Sequence, residues 1–483
     1  MILKKLKVEN LFGIFDYEIN INDDITIITA PNGYGKTFCL KIIHSVFSYN
    51  YSFLYNLDFF KIEMESENKT LIIKKEVVEK EDSRKQDLFL DFQFESDFGT
   101  SEKIITKKNI QRKSTLVFYI LEKNIEKGKS EEKKVYEYDY ERQKRELIKY
   151  LNSRPNISRV GEEEWIEHGE NFGRRIELAT LMNESNYLSF NTQKNIPLEL
   201  MDFSKDTNSY YIQDQRLLKK NNLENRRNNV SYVQTIETYA KELKNHIIKS
   251  RLNYSEVSQE LDSTFPQRLL GRDSKNINSS DKDAIVRELV ELNKKREQLK
   301  NLDILPKKNT DKIIDESDID DSYINVLNLY LEDTKKKLSE FDEIHRKVSL
   351  FVELLTNKLT FKEIKIDSAE GFHFVRDDKN LSSNSDNDSV LKLSQLSSGE
   401  QHEVVLIYEL IFNISEKSIV LIDEPEISLH VVWQEQFLDD LKTILDINSS
   451  SAVIATHSPQ IIGDNWRKTV DLELLRQKET ISQ

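Results

Sequence analysis

The sequence predicts an α/β fold: a mixed sheet with an antiparallel β part, interrupted in the middle of the chain by a helical hairpin insert. Three observations carry this. First, a short β-branched run at Ile25–Thr29 leads through a glycine turn into a helical pattern over Lys36–Phe47. Second, apolar runs at 419–422 and 452–456 alternate with helical patterns at 400–414 and 431–445, the order that builds a parallel sheet. Third, from about residue 229 to 359 aliphatic residues recur at three-, four- and seven-residue steps, with polar residues on the other faces.

In chain order, residues 3–8 and 17–21 alternate as half-buried strands do, and 25–29 reads as a buried strand. Alternating stretches at 70–74, 88–94, 116–121 and 135–140, separated by charged loops, predict an antiparallel region in the same lobe. Residues 210–213 read as a further strand. The insert shows Ile285, Leu289, Leu292, Leu299 and Leu302, then, after a break at Pro306, a second series from Leu327 to Leu359. At about 1.5 Å per residue, arms of roughly 20 and 40 residues reach about 30 and 60 Å. Strands are expected again at 361–366 and 372–375. Residues 381–389 read as a loop, and 472–483 show no clear pattern. The expected domains are 1–220, a lobe with the glycine turn and β region; 221–359, the helical insert; and 360–483, a second lobe.

A length of 483 residues fits two or three domains, and a formal charge of −14 argues against a chain-wide nucleic-acid coat. Cys39 is the one cysteine, so no intramolecular disulfide forms. No run of roughly 18 apolar residues marks a membrane span. The N-terminus lacks the apolar core of a signal peptide, so an intracellular, cytoplasmic protein is expected.

Four segments carry chemistry. Ala30-Pro31-Asn32-Gly33-Tyr34-Gly35-Lys36-Thr37 nearly matches the phosphate-loop pattern, with Ala30 in place of its first glycine. Its backbone N–H groups and the following helix N-terminus suit phosphate. Lys36 would reach the β- and γ-phosphates, and the Thr37 hydroxyl would ligate Mg²⁺. The strand ending in Asp423-Glu424 puts two carboxylates at the carboxyl edge of the sheet, Asp423 for the metal and Glu424 for the attacking water. Leu396-Ser397-Ser398-Gly399-Glu400-Gln401 opens a helix whose small residues make a second anion site. His457, just after an apolar strand, suits a donor that senses the γ-phosphate.

This set resembles ABC-type ATPases, in the branch of SMC, RecF and OLD-like proteins. The resemblance rests on residues 31–37, 396–401, 423–430 and 455–459, and on the string at 260–269. It implies an ABC-type head binding ATP and Mg²⁺. The binding residues would be Asn32, Gly33, Gly35, Lys36, Thr37, Ser397, Gly399 and Glu400; the metal residues Thr37 and Asp423; and the catalytic residues Glu424 and His457. It also implies a homo-oligomer, at least a dimer, in which Ser397 and Gly399 act on ATP held at Lys36 of a second copy. Two departures stand out. Asn10-Leu11-Phe12-Gly13 lacks the family's basic residue, and the glutamine that links nucleotide to lobe movement has no assigned position.

Transporter subunits keep the phosphate loop and the family's signature, here residues 396–401, close in sequence, whereas in this chain the insert separates them. OLD nucleases continue into a TOPRIM domain, for which the residues after His457 are too few. The leading expectation is the sensor and regulatory ATPase of a bacterial anti-phage defence complex, similar to PARIS or Septu ATPase subunits. Such an ATPase holds a separate nuclease effector until a phage protein trigger arrives. The alternative is a RecF-like repair ATPase that binds DNA through basic stretches at 103–113 and 216–227.

Overall fold

The computed structural model describes residues 3–80, 111–122, 132–161, 163–168, 173–178, 182, 196–205, 207–213, 216–220, 232–270, 281–306, 324–376, 390–427 and 429–481. The expected strand at 88–94, the expected loop at 381–389, Ser428, and the basic residues Lys107, Lys108, Arg226 and Arg227 lie outside them.

The N-terminal part begins with β1 (Leu3–Leu11), β2 (Phe15–Asn20), β3 (Ile25–Thr29), α1 (Lys36–Phe47) and α2 (Tyr51–Asn56). It continues with β4 (Lys61–Ser66), β5 (Lys69–Lys80), β6 (Gln111–Glu122) and β7 (Lys133–Tyr138). Six of these strands form an antiparallel sheet in the order β2-β1-β4-β5-β6-β7. Strict alternation in β2, with Phe15, Tyr17 and Ile19 inward, fits a sheet with one covered face. The strand expected to reach residue 140 stops at Tyr138, because Asp139 accepts from the Arg142 N–H and caps α3 (Tyr140–Ser153). Helix α3 packs Leu147 and Leu151 on Trp165 as a small separate core. That core includes a short sheet of β8 (Ile157–Arg159), β9 (Glu164–His168) and β10 (Gly173–Glu177).

After α4 (Leu198–Ser204) comes β11 (Asn208–Ile212), which belongs to the central sheet, then the ladder of β12 (Leu218–Lys220) and β13 (Tyr232–Gln234). The described residues of 221–359 form four helices: α5 (Thr235–Leu270), α6 (Asp281–Asn301), α7 (Ile324–Ser339) and α8 (Asp342–Lys358). The long second arm read from the aliphatic pattern is thus divided at residues 340–341. The string at 260–269 gains a physical role here. Its Pro266 sits within α5, and the Arg268 guanidinium grips both oxygens of Asp333 on α7, at 2.5 and 2.8 Å.

Three strands follow, β14 (Lys362–Asp367), β15 (Gly371–Arg376) and β16 (Val390–Leu391), forming an antiparallel sheet against α5. Gly371 has φ +94°, and a Cβ there would stand 1.8 Å from the Ala240 carbonyl oxygen, so only glycine permits this approach. The C-terminal part runs α9 (Ser398–Tyr408), β17 (Ser418–Asp423), α10 (Val431–Asn448), β18 (Ser451–Ala455), α11 (Pro459–Ile462), β19 (Thr469–Asp471) and α12 (Leu472–Ile481). Helix α12 occupies the stretch whose sequence shows no clear pattern.

The central sheet has the order β11-β17-β18-β3-β19, parallel throughout. Burial on both faces explains the unbroken apolar runs of β17 and β18. Successive residues feed opposite cores. Ile419, Leu421 and Val453 join α1 and the antiparallel sheet, while Val420, Ile422 and Ile454 join α9, α10 and the insert. The second core runs without a break from the sheet into Leu289 and Leu299 of α6.

One joint in that core is ionic. Lys358 at the end of α8 lies 2.9 Å from Glu403 of α9 and 2.8 Å from Asp440 of α10. The Lys358 and Glu403 side chains are 2% and 4% exposed, which makes this a buried link between α8, α9 and α10. Among the described residues no helix is long and apolar enough to cross a membrane.

Candidate active site

Strand β3 ends at Thr29 and the chain turns back over Asn32-Gly33-Tyr34-Gly35 into α1. Gly33 and Gly35 adopt φ +89° and +80°, a region costly for residues with a Cβ. Ala30 shows no positive φ, so the replacement of the first glycine carries no backbone penalty. The Tyr34 carbonyl is held by the Tyr17 hydroxyl at 2.8 Å. Helix α1 has no side-chain cap and no acidic residue in its first turn, so its leading N–H groups face the cradle without an internal acceptor. Phe12, itself at φ +56°, lies beside the turn with its ring edge-on to Phe38 at 4.8 Å.

Lys36 is buried, donates to the Ala30 carbonyl oxygen at 3.0 Å, and touches His457 Nε2. Burial pulls its pKa below the ordinary lysine value, and the nearby Glu424, Asp423 and Glu426 offset this only in part. An ammonium in such surroundings gains from a further anion. The Thr37 hydroxyl donates to Asp423 Oδ1 at 3.0 Å. Glu424 follows at φ +43°, with its N–H on the Ala455 carbonyl at 2.8 Å and its Oε1 3.5 Å from His457 Nε2. A non-glycine residue in that region is a strained conformation of the kind stored at functional sites. The His457 N–H donates to Glu426 Oε1 at 2.7 Å. Asn32, Gly33, Gly35, Lys36, Thr37, Asp423, Glu424 and His457 therefore meet at the carboxyl edge of one parallel sheet, where open α/β sheets place ligands. The glycine cradle, the uncapped helix end and the Thr37–Asp423 pair fit a nucleotide phosphate chain with a divalent cation.

The segment 397–400 is engaged differently. Ser397 Oγ accepts from the Glu400 N–H at 3.3 Å, and Glu400 Oε2 accepts from the Ser397 N–H at 2.8 Å, a closed capping box. Glu400 Oε1 pairs with Lys362 of β14 at 2.5 Å. Both carboxylate oxygens of Glu400 are thus used within the chain. Its pKa is lowered against the effect of burial by the Lys362 and Ser397 bonds.

Two residues absent from the motif reading stand at the same sheet edge. Gln213, exposed, directly follows Ile212, the last residue of β11, whose register partner Ile422 precedes Asp423. Tyr211 donates its hydroxyl to Asp423 Oδ2 at 2.9 Å. The strand at 210–213 is readable in the sequence, but its place beside β17 is not. By contrast Arg216, counted among the basic stretches, is buried and reaches the Pro425 carbonyl at 3.5 Å.

This cradle and acid edge define a phosphate-loop ATPase. The AAA_15 family, described as an AAA ATPase domain, matches residues 1–462, so the chain belongs to that family and is an ATPase. Protein ea59 of Escherichia phage lambda is 38% identical over 90 residues, which are 19% of this chain and 17% of that protein. The chain thus spans less than a fifth of that relative's length. Among solved structures, the Smc head domain with an extended coiled coil bound to the C-terminal domain of ScpA from Pyrococcus furiosus is 12% identical at TM-score 0.32, covering 100% of this chain and 99% of that one. An SmcHead bound to the C-winged helix domain of ScpA is 10% identical at TM-score 0.33, covering 96% and 92%.

Proposed function

We propose that the chain hydrolyses MgATP at sites shared between two copies, and that this turnover serves as the sensor and regulatory step of an anti-phage defence complex. The backbone of Asn32, Gly33 and Gly35 takes the phosphates, and Lys36 neutralises the β- and γ-groups. Thr37 and Asp423 hold Mg²⁺, which screens phosphate charge when bound. Glu424 accepts the proton of the attacking water, Gln213 helps to orient that water, and His457, touching Lys36 and near Glu424, reads the γ-phosphate position.

One observation carries the shared site. Ser397 of the 396–401 segment is bonded to Glu400 within its own helix cap, and Glu400 in turn to Lys362, not to the cradle. Ser397 is exposed, so a partner copy's γ-phosphate can reach its hydroxyl in exchange for the bonds it makes to Glu400. Gly399 leaves room for that approach. Mixing tests this. Ser397→Arg chains and Lys36→Ala chains are each expected to be inactive alone and to regain turnover together, because one mixed site stays intact. No recovery at any ratio removes the shared site.

The insert supports the regulatory half, since its exit helix is pinned to the signature helix through Lys358 and Glu403. The partners in this reading are a second copy, a separate nuclease effector and a phage protein trigger. A complex purified from its native genetic setting is expected to contain a nuclease, and a complex without one overturns that half. The RecF-like alternative, direct DNA binding, draws less support, because Arg216 of its basic stretches is buried. ATPase stimulation by DNA that falls steeply with salt would favour it.

A further inference from the structure

We infer that Tyr211 is a positioning residue for Asp423, setting how tightly a divalent cation is held with the nucleotide. This rests on the reading that Asp423 helps to hold that cation. Asp423 presents two oxygens, and each meets a hydroxyl from a different element. Thr37 of α1 donates to Oδ1 at 3.0 Å, and Tyr211 of β11 donates to Oδ2 at 2.9 Å.

The reach of a phenol is what the strand register requires. Strands β11 and β17 are parallel, and Tyr211 stands opposite Leu421, two residues short of Asp423. At a rise of about 3.3 Å per residue that gap is about 6.6 Å, and side chains lean along the strand direction. A serine or threonine hydroxyl at 211 would stop well short of the carboxylate. The ring is also held in place. His44 of α1 stacks against it with centroids 5.7 Å apart, and His44 Nδ1 lies 2.9 Å from the Ser209 hydroxyl of the same strand. Tyr211 therefore joins three parts at one point: the phosphate-loop helix, its own strand, and the strand that ends in the acidic pair.

The chemistry of the donor matters as much as its reach. A neutral hydroxyl bonded to a carboxylate fixes the plane of the group without cancelling its charge, whereas a lysine there would compete with the cation. With Oδ2 held from behind, Asp423 keeps one orientation toward Thr37 and does not rotate between several. Outer partners of this kind change metal affinity on the order of 10–100-fold when removed.

Tyr211→Phe removes only the hydroxyl. The expected result is an Mg²⁺ requirement for half-maximal turnover raised on the order of tenfold, with kcat recovered at saturating Mg²⁺. Affinity for a non-hydrolysable ATP analogue in EDTA is expected to match the wild type, while the gain in affinity on adding Mg²⁺ shrinks. Mn²⁺ bound in the analogue complex, followed by electron paramagnetic resonance, should weaken in parallel. Ser209→Ala keeps the hydroxyl of Tyr211 and is expected to lower thermal stability alone. An unchanged Mg²⁺ requirement in Tyr211→Phe, or equal losses with and without metal, overturns the inference. Asp423→Asn separates the two levels. If it too leaves the metal requirement unchanged, the reading of Asp423 falls. If it abolishes metal binding while Tyr211→Phe behaves as wild type, only the role of Tyr211 falls.

Discussion

Two helix N-termini in this chain carry the small residues that favour anions, and they are finished in opposite ways. Helix α1 starts after Gly35 with no side-chain cap and no acidic residue in its first turn. Helix α9 starts after Ser397 with a complete capping box, tied onward to Lys362. The first leaves its N–H groups for an outside acceptor; the second meets the N–H groups of Ser397 and Glu400 from within. The difference teaches that small residues at a helix start do not by themselves define a phosphate site. What separates the two is whether the chain supplies its own acceptor.

The largest effect should come from making the bare end resemble the capped one. Gly35→Asp places a carboxylate at the cap of α1, where the phosphate chain is expected. Nucleotide binding should fall below detection in a titration with a fluorescent analogue. Circular dichroism would show whether the chain stays folded, since an L-residue at this φ costs roughly 1–2 kcal/mol. Wild-type affinity in that variant would break the comparison. At the other end, Ser397→Ala removes the cap acceptor. It should lower stability in chemical unfolding by about 1 kcal/mol. Unchanged stability would mean that the box is not a working cap.

A pH-dependent effect lies one turn along α9. Burial, with the Arg216 charge nearby, lowers the His402 pKa from its ordinary 6.5 to about 4. Between those values the unfolded chain takes a proton that the folded chain refuses, so stability falls as pH drops from about 6.5 toward 4. His402→Gln has no such proton, and its stability should depend less steeply on pH in that window. Parallel pH profiles for the two proteins would show that His402 titrates normally.

The sequence shows some parts of this arrangement and hides others for physical reasons. Ile25–Thr29 and Lys36–Phe47 were legible to the residue, because an apolar β-branched run, a glycine turn and a helical pattern meet there. The spacing of Ser397 and Glu400 carries the capping-box signal in plain view. Helix α3 was missed, because its buried Leu147 and Leu151 stand among charged residues and fill a small core of their own. Tyr211 reaches Asp423 only because β11 lies beside β17, and strand neighbours are not written in local pattern. The insert's division into four helices likewise depends on breaks that an aliphatic periodicity runs across.

The ionic joint at Lys358 has a consequence for how such a chain can change over time. Lys358, supplied by the helical segment, answers two carboxylates, Glu403 and Asp440. A graft of foreign helices lacking that cation would leave Glu403 buried without this partner, and a buried pair that loses one member is weakened by about 3–5 kcal/mol. The inserted helices are therefore no interchangeable cassette, and their lineage is bound to that of the head by a matching of charge.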